Sequence, residues 1–171
     1  KAKLTEAVVR WKQDVPSAAG QDARPFPVGY KEFPSTPLPA RDGVASGGIR
    51  RSAPAPNCSY YTQWRTTEGK ITWDIAVRTT GDYDVVLYYT CPQEDVGSTV
   101  EASFAGVRLR GRVSEAFDPP LFDSMDRVPR RGESFVKEFR PLRLGVIRLP
   151  QGRGQLTLRA VDIPGRQVMD F

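Results

Sequence analysis

The sequence predicts a mostly-β protein, an antiparallel β-sandwich preceded by one short N-terminal helix and a proline-rich extended arm. Three observations favour this fold class. The 171 residues include 15 prolines and 15 glycines, a composition typical of strands joined by many turns. Helix-forming blocks of Ala, Leu, Glu and Lys are scarce after the first 15 residues. Further along the chain, apolar and polar residues alternate in short segments, as they do in half-buried strands.

The N-terminal segment has the apolar spacing of one helix face. Leu4, Val8, Trp11 and Val15 recur at intervals of four, three and four residues, and Pro16 then ends the pattern. This spacing predicts an amphipathic helix over residues 4–15. Because a three-turn helix is marginal by itself, its apolar stripe is expected to pack on the β domain or on a preceding domain.

A proline-rich arm follows over residues 16–40. Phe26, Tyr30 and Phe33 are interleaved among its prolines, a pattern that suits neither a helix nor a central strand. The aromatic residues indicate an extended arm that lies against the globule. We therefore expect residues 1–38 to form the helix and arm, and residues 39–171 to form the β-sandwich.

Two alternating segments open the sandwich. Residues 71–78 place Ile71, Trp73, Ile75 and Val77 on one face, which predicts a half-buried strand with Trp73 in the core. Residues 83–89 repeat the alternation after a turn around Gly81. The two segments are expected to pair as a hairpin.

The rest of the domain is predicted to consist of short strands joined by turns. Residues 98–104 and 107–113 flank Ala105-Gly106 and predict a second hairpin. Further strands are expected at 139–144, 145–149 and 155–160. Residues 115–133 form a long loop, and such loops are usually functional or disordered.

The chain contains no histidine, and this absence excludes several kinds of active site. Ser-His-Asp and Cys-His catalysis, histidine-ligated zinc and histidine acid-base chemistry all require that side chain. Cys91 is followed by Pro92, Gln93, Glu94 and Asp95, and the two carboxylates disfavour a reactive thiolate. We therefore expect no catalytic residue in this chain.

The two cysteines leave two possibilities open. Cys58 and Cys91 are compatible with a single disulfide in an oxidising compartment, or with two free thiols.

The net charge of +5 comes mostly from arginines spread along the chain, which indicates a mild preference for anionic partners. Arg108, Arg110 and Arg112 alternate with apolar residues, so their guanidinium groups leave the same face of one strand. Such a row suits bidentate binding of sulfate or carboxylate groups. The alternative is a solvated face that discourages edge pairing. The group Arg127, Arg130 and Arg131 has the same two interpretations.

Two aromatic groups are candidates for carbohydrate binding, since exposed rings stack on sugar faces. The alternative for each ring is packing in the core. The candidates are Tyr60, Tyr61 and Trp64 near Cys58, and Phe117 and Phe122 in the long loop.

Several carboxylates offer enough oxygen ligands for calcium, but their spacing matches no EF-hand type of calcium loop. They resemble a glycosidase pair only in composition. The residues in question are Glu94, Asp95, Glu115, Asp118, Asp123 and Asp126.

No apolar run approaches the length of a membrane span, and the start lacks a signal-peptide pattern. Neither a membrane nor a nucleic acid is expected as a partner.

Five segments carry a resemblance that covers most of the chain, from about Val28 to Asp170. They resemble a C-terminal region that follows the catalytic domain in some bacterial sulfatases of the arylsulfatase type. The segments are residues 24–30 (RPFPVGY), 55–59 (APNCS), 71–74 (ITWD), 87–92 (LYYTCP) and 156–160 (LTLRA).

The resemblance implies a non-catalytic accessory domain of a secreted or periplasmic sulfatase. Residues 1–38 would be the exit segment that connects a preceding catalytic domain to the β-sandwich. The main partner would be that catalytic domain, and sulfated glycan would be a further partner. That parent enzyme would use formylglycine and a divalent metal, calcium, for sulfated carbohydrate or aryl substrates. The fragment would begin at Lys1, and its last strand is expected to continue beyond Phe171.

One departure matters for activity. Sulfatases carry a Cys-x-Pro-x-Arg type of motif, whereas here proline follows Cys91 directly and no arginine stands four residues on. No catalytic residue is therefore carried over. Residues 81–89 also look like part of a jelly-roll carbohydrate-binding module. The alternatives are a free-standing carbohydrate-binding or adhesive module and an independent hydrolase.

Overall fold

The computed structural model describes residues 2–14, 24–123 and 128–171, and the described chain is mostly β, as predicted. One helix, two short 3-10 helices (Ala40–Asp42 and Gln93–Asp95) and ten strands are formed in these ranges. The helix is α1, Ala2–Asp14. The strands are β1 Phe26–Val28, β2 Val44–Ser46, β3 Arg50–Arg51, β4 Tyr61–Thr62, β5 Lys70–Val77, β6 Gly81–Tyr89, β7 Thr99–Phe104, β8 Val107–Arg112, β9 Arg140–Leu149 and β10 Gly152–Asp162.

The larger sheet has six strands in the order β1-β5-β10-β7-β8, with β2 also paired to β5. Strand β1 runs parallel to β5, and the other pairs are antiparallel. Strand β1 belongs to the proline-rich arm, so part of the arm is an edge strand of this main sheet. Such an edge accommodates Pro27, which has no N–H group to donate.

The second sheet consists of β6 and β9, and β3 and β4 form a third, two-stranded sheet. The prediction that the segments around β5 and β6 form a hairpin is therefore wrong, because β5 lies in the main sheet and β6 pairs with β9. The two strands expected at 139–144 and 145–149 are one strand, β9. The pairing of β9 with β6 shifts between Val85 and Val86, which leaves Leu144 as an extra residue on β9.

The β7–β8 hairpin is confirmed, with Phe104 directly opposite Val107. Its two turn residues both have positive φ, 48° at Ala105 and 84° at Gly106. Positive φ at both central residues is the type I′ conformation, whose twist matches that of the flanking strands.

The core lies between the main sheet and the β6–β9 sheet. It includes Trp73, as predicted from its alternation with Ile71 and Ile75. Gly111 on β8 brings the sheets close together, since a Cβ added there would lie 2.3 Å from Cδ1 of Leu144 on β9.

The helix α1 agrees with the predicted amphipathic segment, whereas Val15 and Pro16 lie outside the described residues. Its apolar residues Leu4, Val8 and Trp11 are all exposed. Among the described residues, no helix is long and apolar enough to cross a membrane.

Candidate anion-binding face

One side of the main sheet packs in the core, and the other carries polar side chains. We call the second side the polar face. Alternation along each strand produces it, because the residues between these positions point into the core. Its polar members are Ser46, Lys70, Thr72, Asp74, Thr99, Glu101, Ser103, Arg108, Arg110, Arg112, Arg153, Gln155, Thr157, Arg159 and Asp162.

The predicted arginine row lies on this face. Arg108, Arg110 and Arg112 are exposed and alternate with the half-buried Val107, Leu109 and Gly111. Nε of Arg112 donates a hydrogen bond to the carbonyl of Gly97 (3.0 Å). Nε of Arg110 donates to Oε2 of Glu101 at 2.7 Å. Arg108 makes no side-chain hydrogen bond or ion pair within the described ranges, so its guanidinium is available to a ligand.

Glu101 anchors the middle of the polar face. Its side chain is only 1% exposed, although it stands on the outward side of β7. Arg110 on β8 and Arg159 on β10 lie directly opposite it on either side. Nε of Arg159 donates to Oε1 at 2.9 Å, so the carboxylate bonds to both guanidinium groups.

Burial by itself would raise the pKa of Glu101. The hydrogen bonds from Arg110 and Arg159, together with their positive charges, outweigh burial and hold the pKa of this carboxyl below its usual value. Glu101 is therefore ionised and fixes the position of both arginines.

Sequence reasoning missed Lys70, Ser103, Thr157, Arg159 and Glu101 as members of the site. Alternation in residues 155–160 could have shown that Thr157 and Arg159 point the same way. No local signal gives the pairing of β10 with both β5 and β7, which brings the five together.

The predicted aromatic platform around Cys58 is not formed. Trp64 is 1% and Tyr61 5% exposed, so both rings are core residues and cannot stack on a sugar. Their burial follows from the C-terminal segment, since Val168 donates its N–H to the carbonyl of Trp64 and Phe171 exchanges backbone hydrogen bonds with Tyr61.

The other predicted rings are dispersed. Tyr60 is half-buried and packs edge-on against Phe139 at 5.4 Å between ring centroids. Phe117 is half-buried beneath the guanidinium of Arg140. Phe122 is 52% exposed and pairs with Val136. None of these rings belongs to the polar face.

A buried cation joins the long loop to the C-terminal segment. The side chain of Lys137 is 9% exposed, and its Nζ lies 2.8 Å from Oδ2 of Asp170 and 3.4 Å from Oδ1 of Asp118. Burial by itself would lower the pKa of Lys137, but its hydrogen bond and charge interaction with Asp170 raise it. These contacts indicate a structural role.

Most of the carboxylates considered for calcium have cationic or backbone partners. Asp118 contacts Lys137, Glu115 contacts Arg140, Glu94 contacts Arg166, and buried Asp95 accepts the N–H of Arg166. Within the described residues, no three Asp, Glu, Cys or His side chains are grouped as metal ligands. Asp126 lies outside these residues.

Both cysteines are free thiols, so the possible disulfide between Cys58 and Cys91 is not formed. Cys58 is exposed and Cys91 is fully buried. Burial and the nearby carboxylates, Asp95 foremost, raise the pKa of Cys91 to about 11.

The second arginine group lies beside an open cavity of about 1320 Å³. Arg41, Arg130 and Arg131 line it together with Asp42 and Glu133, so acidic side chains offset most of its positive charge. Arg127 lies outside the described residues. The polar face is the stronger candidate because its six cations exceed its three carboxylates by three, whereas the three arginines of the cavity exceed its two carboxylates by one.

The chain matches no protein-family model, and no curated protein matches it.

Proposed function

We propose that this chain is a non-catalytic C-terminal accessory domain of a sulfatase acting on sulfated carbohydrate or aryl substrates. Its role is to bind sulfated glycan through the polar face and to brace the catalytic domain. Charge on the polar face is the observation that carries the binding role. Six cations stand there against three carboxylates, Asp74, Glu101 and Asp162. The cations are Lys70, Arg108, Arg110, Arg112, Arg153 and Arg159.

Guanidinium groups suit this role because they form paired, charge-assisted hydrogen bonds to the oxygens of sulfate. Ser103 and Thr157 add hydroxyl groups that can bond to sugar hydroxyls. A polysaccharide binds such a face through many weak contacts, so this mode needs no deep pocket.

Support for the bracing role comes from α1. Leu4, Val8 and Trp11 form an exposed apolar stripe, and such stripes are normally buried against another element. We propose that the catalytic domain covers this stripe.

The binding role is tested with residues 1–171 on sulfated and chemically desulfated polysaccharides at two salt concentrations. We expect binding that requires sulfate and weakens at the higher salt. The double variant Arg108→Gln, Arg112→Gln should weaken it, because both changes remove exposed positive charge from the polar face.

The matched control is Arg143→Gln, Arg148→Gln on β9, which removes the same charge from exposed positions of the second sheet. Equal loss in both double variants would show that net charge, rather than the polar face, drives binding. No binding to any sulfated glycan would remove the binding role. A coding sequence upstream of Lys1 that lacks a sulfatase domain would support the free-standing module instead.

A further inference from the structure

Directly opposite residues form rows that cross the polar face from strand to strand. The first row is Ser46 on β2, Lys70 on β5, Arg159 on β10, Glu101 on β7 and Arg110 on β8. Neighbouring strands lie about 4.8 Å apart, so the row presents one side chain at each such interval.

The charges in this first row follow a definite order. From β5 to β8 they are positive, positive, negative and positive. Lys70 stands directly opposite Arg159, and like charges in that arrangement destabilise a sheet. Glu101 bonds to Arg159 and Arg110, whereas Lys70 contacts no carboxylate among the described residues. An anionic ligand group above Lys70 and Arg159 would relieve this repulsion.

The second row is mainly hydroxylic. It comprises Val44 on β2, Thr72 on β5, Thr157 on β10, Ser103 on β7 and Arg108 on β8. Thr72 donates its hydroxyl proton to the carbonyl of Val44. The hydroxyls of Ser103 and Thr157 are half-buried and make no hydrogen bond within the described ranges. They can therefore donate to, or accept from, sugar hydroxyls.

Building on the glycan-binding function proposed above, we infer that the ligand is a linear sulfated polysaccharide that runs across the strands with one monosaccharide above each. The strand interval of about 4.8 Å is close to the length that one pyranose adds to a linear chain. Anionic groups then lie above β5, β10 and β8. The monosaccharide above β7 is uncharged, because the carboxylate of Glu101 repels an anion there.

The polysaccharide could instead lie parallel to β8, and the two orientations predict different contact residues. Along β8, Arg108, Arg110 and Arg112 are separated by about 6.8 Å, since alternate residues of a strand lie two residue rises apart. A ligand parallel to β8 would contact Arg112 and not Lys70. A ligand that crosses the strands on the two rows contacts Lys70 and Arg108.

The test measures affinities of the chain for sulfated di-, tetra- and hexasaccharides by calorimetry at one ionic strength. The expected result is a gain of at least about tenfold from disaccharide to tetrasaccharide, with a much smaller gain beyond, because four strands carry the charged row. Lys70→Gln and Arg108→Gln should each weaken tetrasaccharide binding by about tenfold, and Arg148→Gln on β9 should not.

Two outcomes overturn the crossing orientation while leaving glycan binding intact. One is loss of binding in Arg112→Gln with full binding in Lys70→Gln, and the other is equal affinity for disaccharide and tetrasaccharide. Absence of binding to every sulfated oligosaccharide and polysaccharide would instead remove the proposed function itself. Circular dichroism spectra of all variants should match that of the wild type, because the substituted side chains are exposed.

Discussion

Glu101 on β7 and Arg159 on β10 lie directly opposite each other, and Nε of Arg159 donates a 2.9 Å hydrogen bond to the carboxylate. Arg110 bonds to the same carboxylate from the other side. One buried carboxylate thus connects three adjacent strands on the outward face of the sheet. Its removal would leave two guanidinium groups facing each other without a counter-charge.

We expect Glu101→Gln to lower the free energy of unfolding by about 1–3 kcal/mol, because a neutral amide cannot satisfy both arginines at a buried position. The matched control is Asp84→Asn, which removes the carboxylate of an exposed pair with Arg143. That change should cost less than about 1 kcal/mol. Urea denaturation measures the unfolding free energy of both variants. Equal losses would show that the burial of Glu101 does not increase its contribution to stability.

The same residue should make stability depend on pH. Because the pKa of Glu101 is lower in the folded protein than its ordinary value of 4.5, its contribution is fully present above that value. The contribution is lost as the pH falls through the lowered pKa. The difference in unfolding free energy between wild type and Glu101→Gln should therefore shrink below about pH 4.5. A difference that stays constant down to pH 2.5 would contradict the lowered pKa.

The two thiols should differ sharply in reactivity. Cys58 is exposed, whereas Cys91 is buried with its pKa raised to about 11, so little of its thiolate exists near neutral pH. Iodoacetamide at pH 8 should alkylate only Cys58 in the native protein and both cysteines in denaturant. Mass spectrometry of the digested protein identifies the modified sites. Labelling of Cys91 before unfolding would be inconsistent with its burial.

Lys137→Met should loosen the contact between the long loop and the C-terminal segment. The substitution keeps much of the side-chain volume but leaves the half-buried carboxylate of Asp170 without its 2.8 Å partner. We expect a loss of about 1–3 kcal/mol in unfolding free energy. Faster amide exchange should appear at Thr90 and Asp170, which exchange backbone hydrogen bonds. Lys3→Met on the exposed face of α1 is the control and should change neither quantity.

The β7–β8 turn offers a stabilising substitution. Ala105 has φ 48°, a left-handed conformation that alanine adopts at a cost and asparagine tolerates. Ala105→Asn should raise the free energy of unfolding by about 0.5–1 kcal/mol. Gly106→Ala should lower it by about 1 kcal/mol. No atom lies within 4 Å of the added Cβ at Gly106, so only backbone strain is tested. Thermal melting ranks the three proteins, and an unchanged midpoint for both would argue against a type I′ turn.

Local alternation was enough to predict β5, β6, β7, β8 and β10 and the direction of the arginine row. The pattern of Arg108, Arg110 and Arg112 depends only on the two-residue period of a strand, which neighbouring residues reveal. The assignment of β5 and β6 to different sheets could not be read in this way. Both strands present apolar residues to the same core, and that alternation is identical whether two strands pair or face each other across a sandwich.

Burial of particular side chains was harder to predict for the same reason. Trp64 lies in an irregular stretch with no alternation, and its burial depends on the distant segment that ends in Phe171. Glu101 occupies an outward strand position, which normally indicates exposure to solvent. Its burial arises from arginines on two strands, one of them β10, and their register is a property of the assembled sheet.

The pairing of β5 with β10 has a consequence for biosynthesis. Arg153 on β10 bonds to Asp74 on β5, 79 residues earlier in the chain. On the ribosome, β5 emerges well before its antiparallel partner β10 has been synthesised. Until then, the apolar side chains of Ile71 and Ile75 remain exposed. Sheets built from such distant segments form slowly and are prone to aggregate before completion. This domain should therefore benefit from chaperone protection between synthesis of β5 and release of β10.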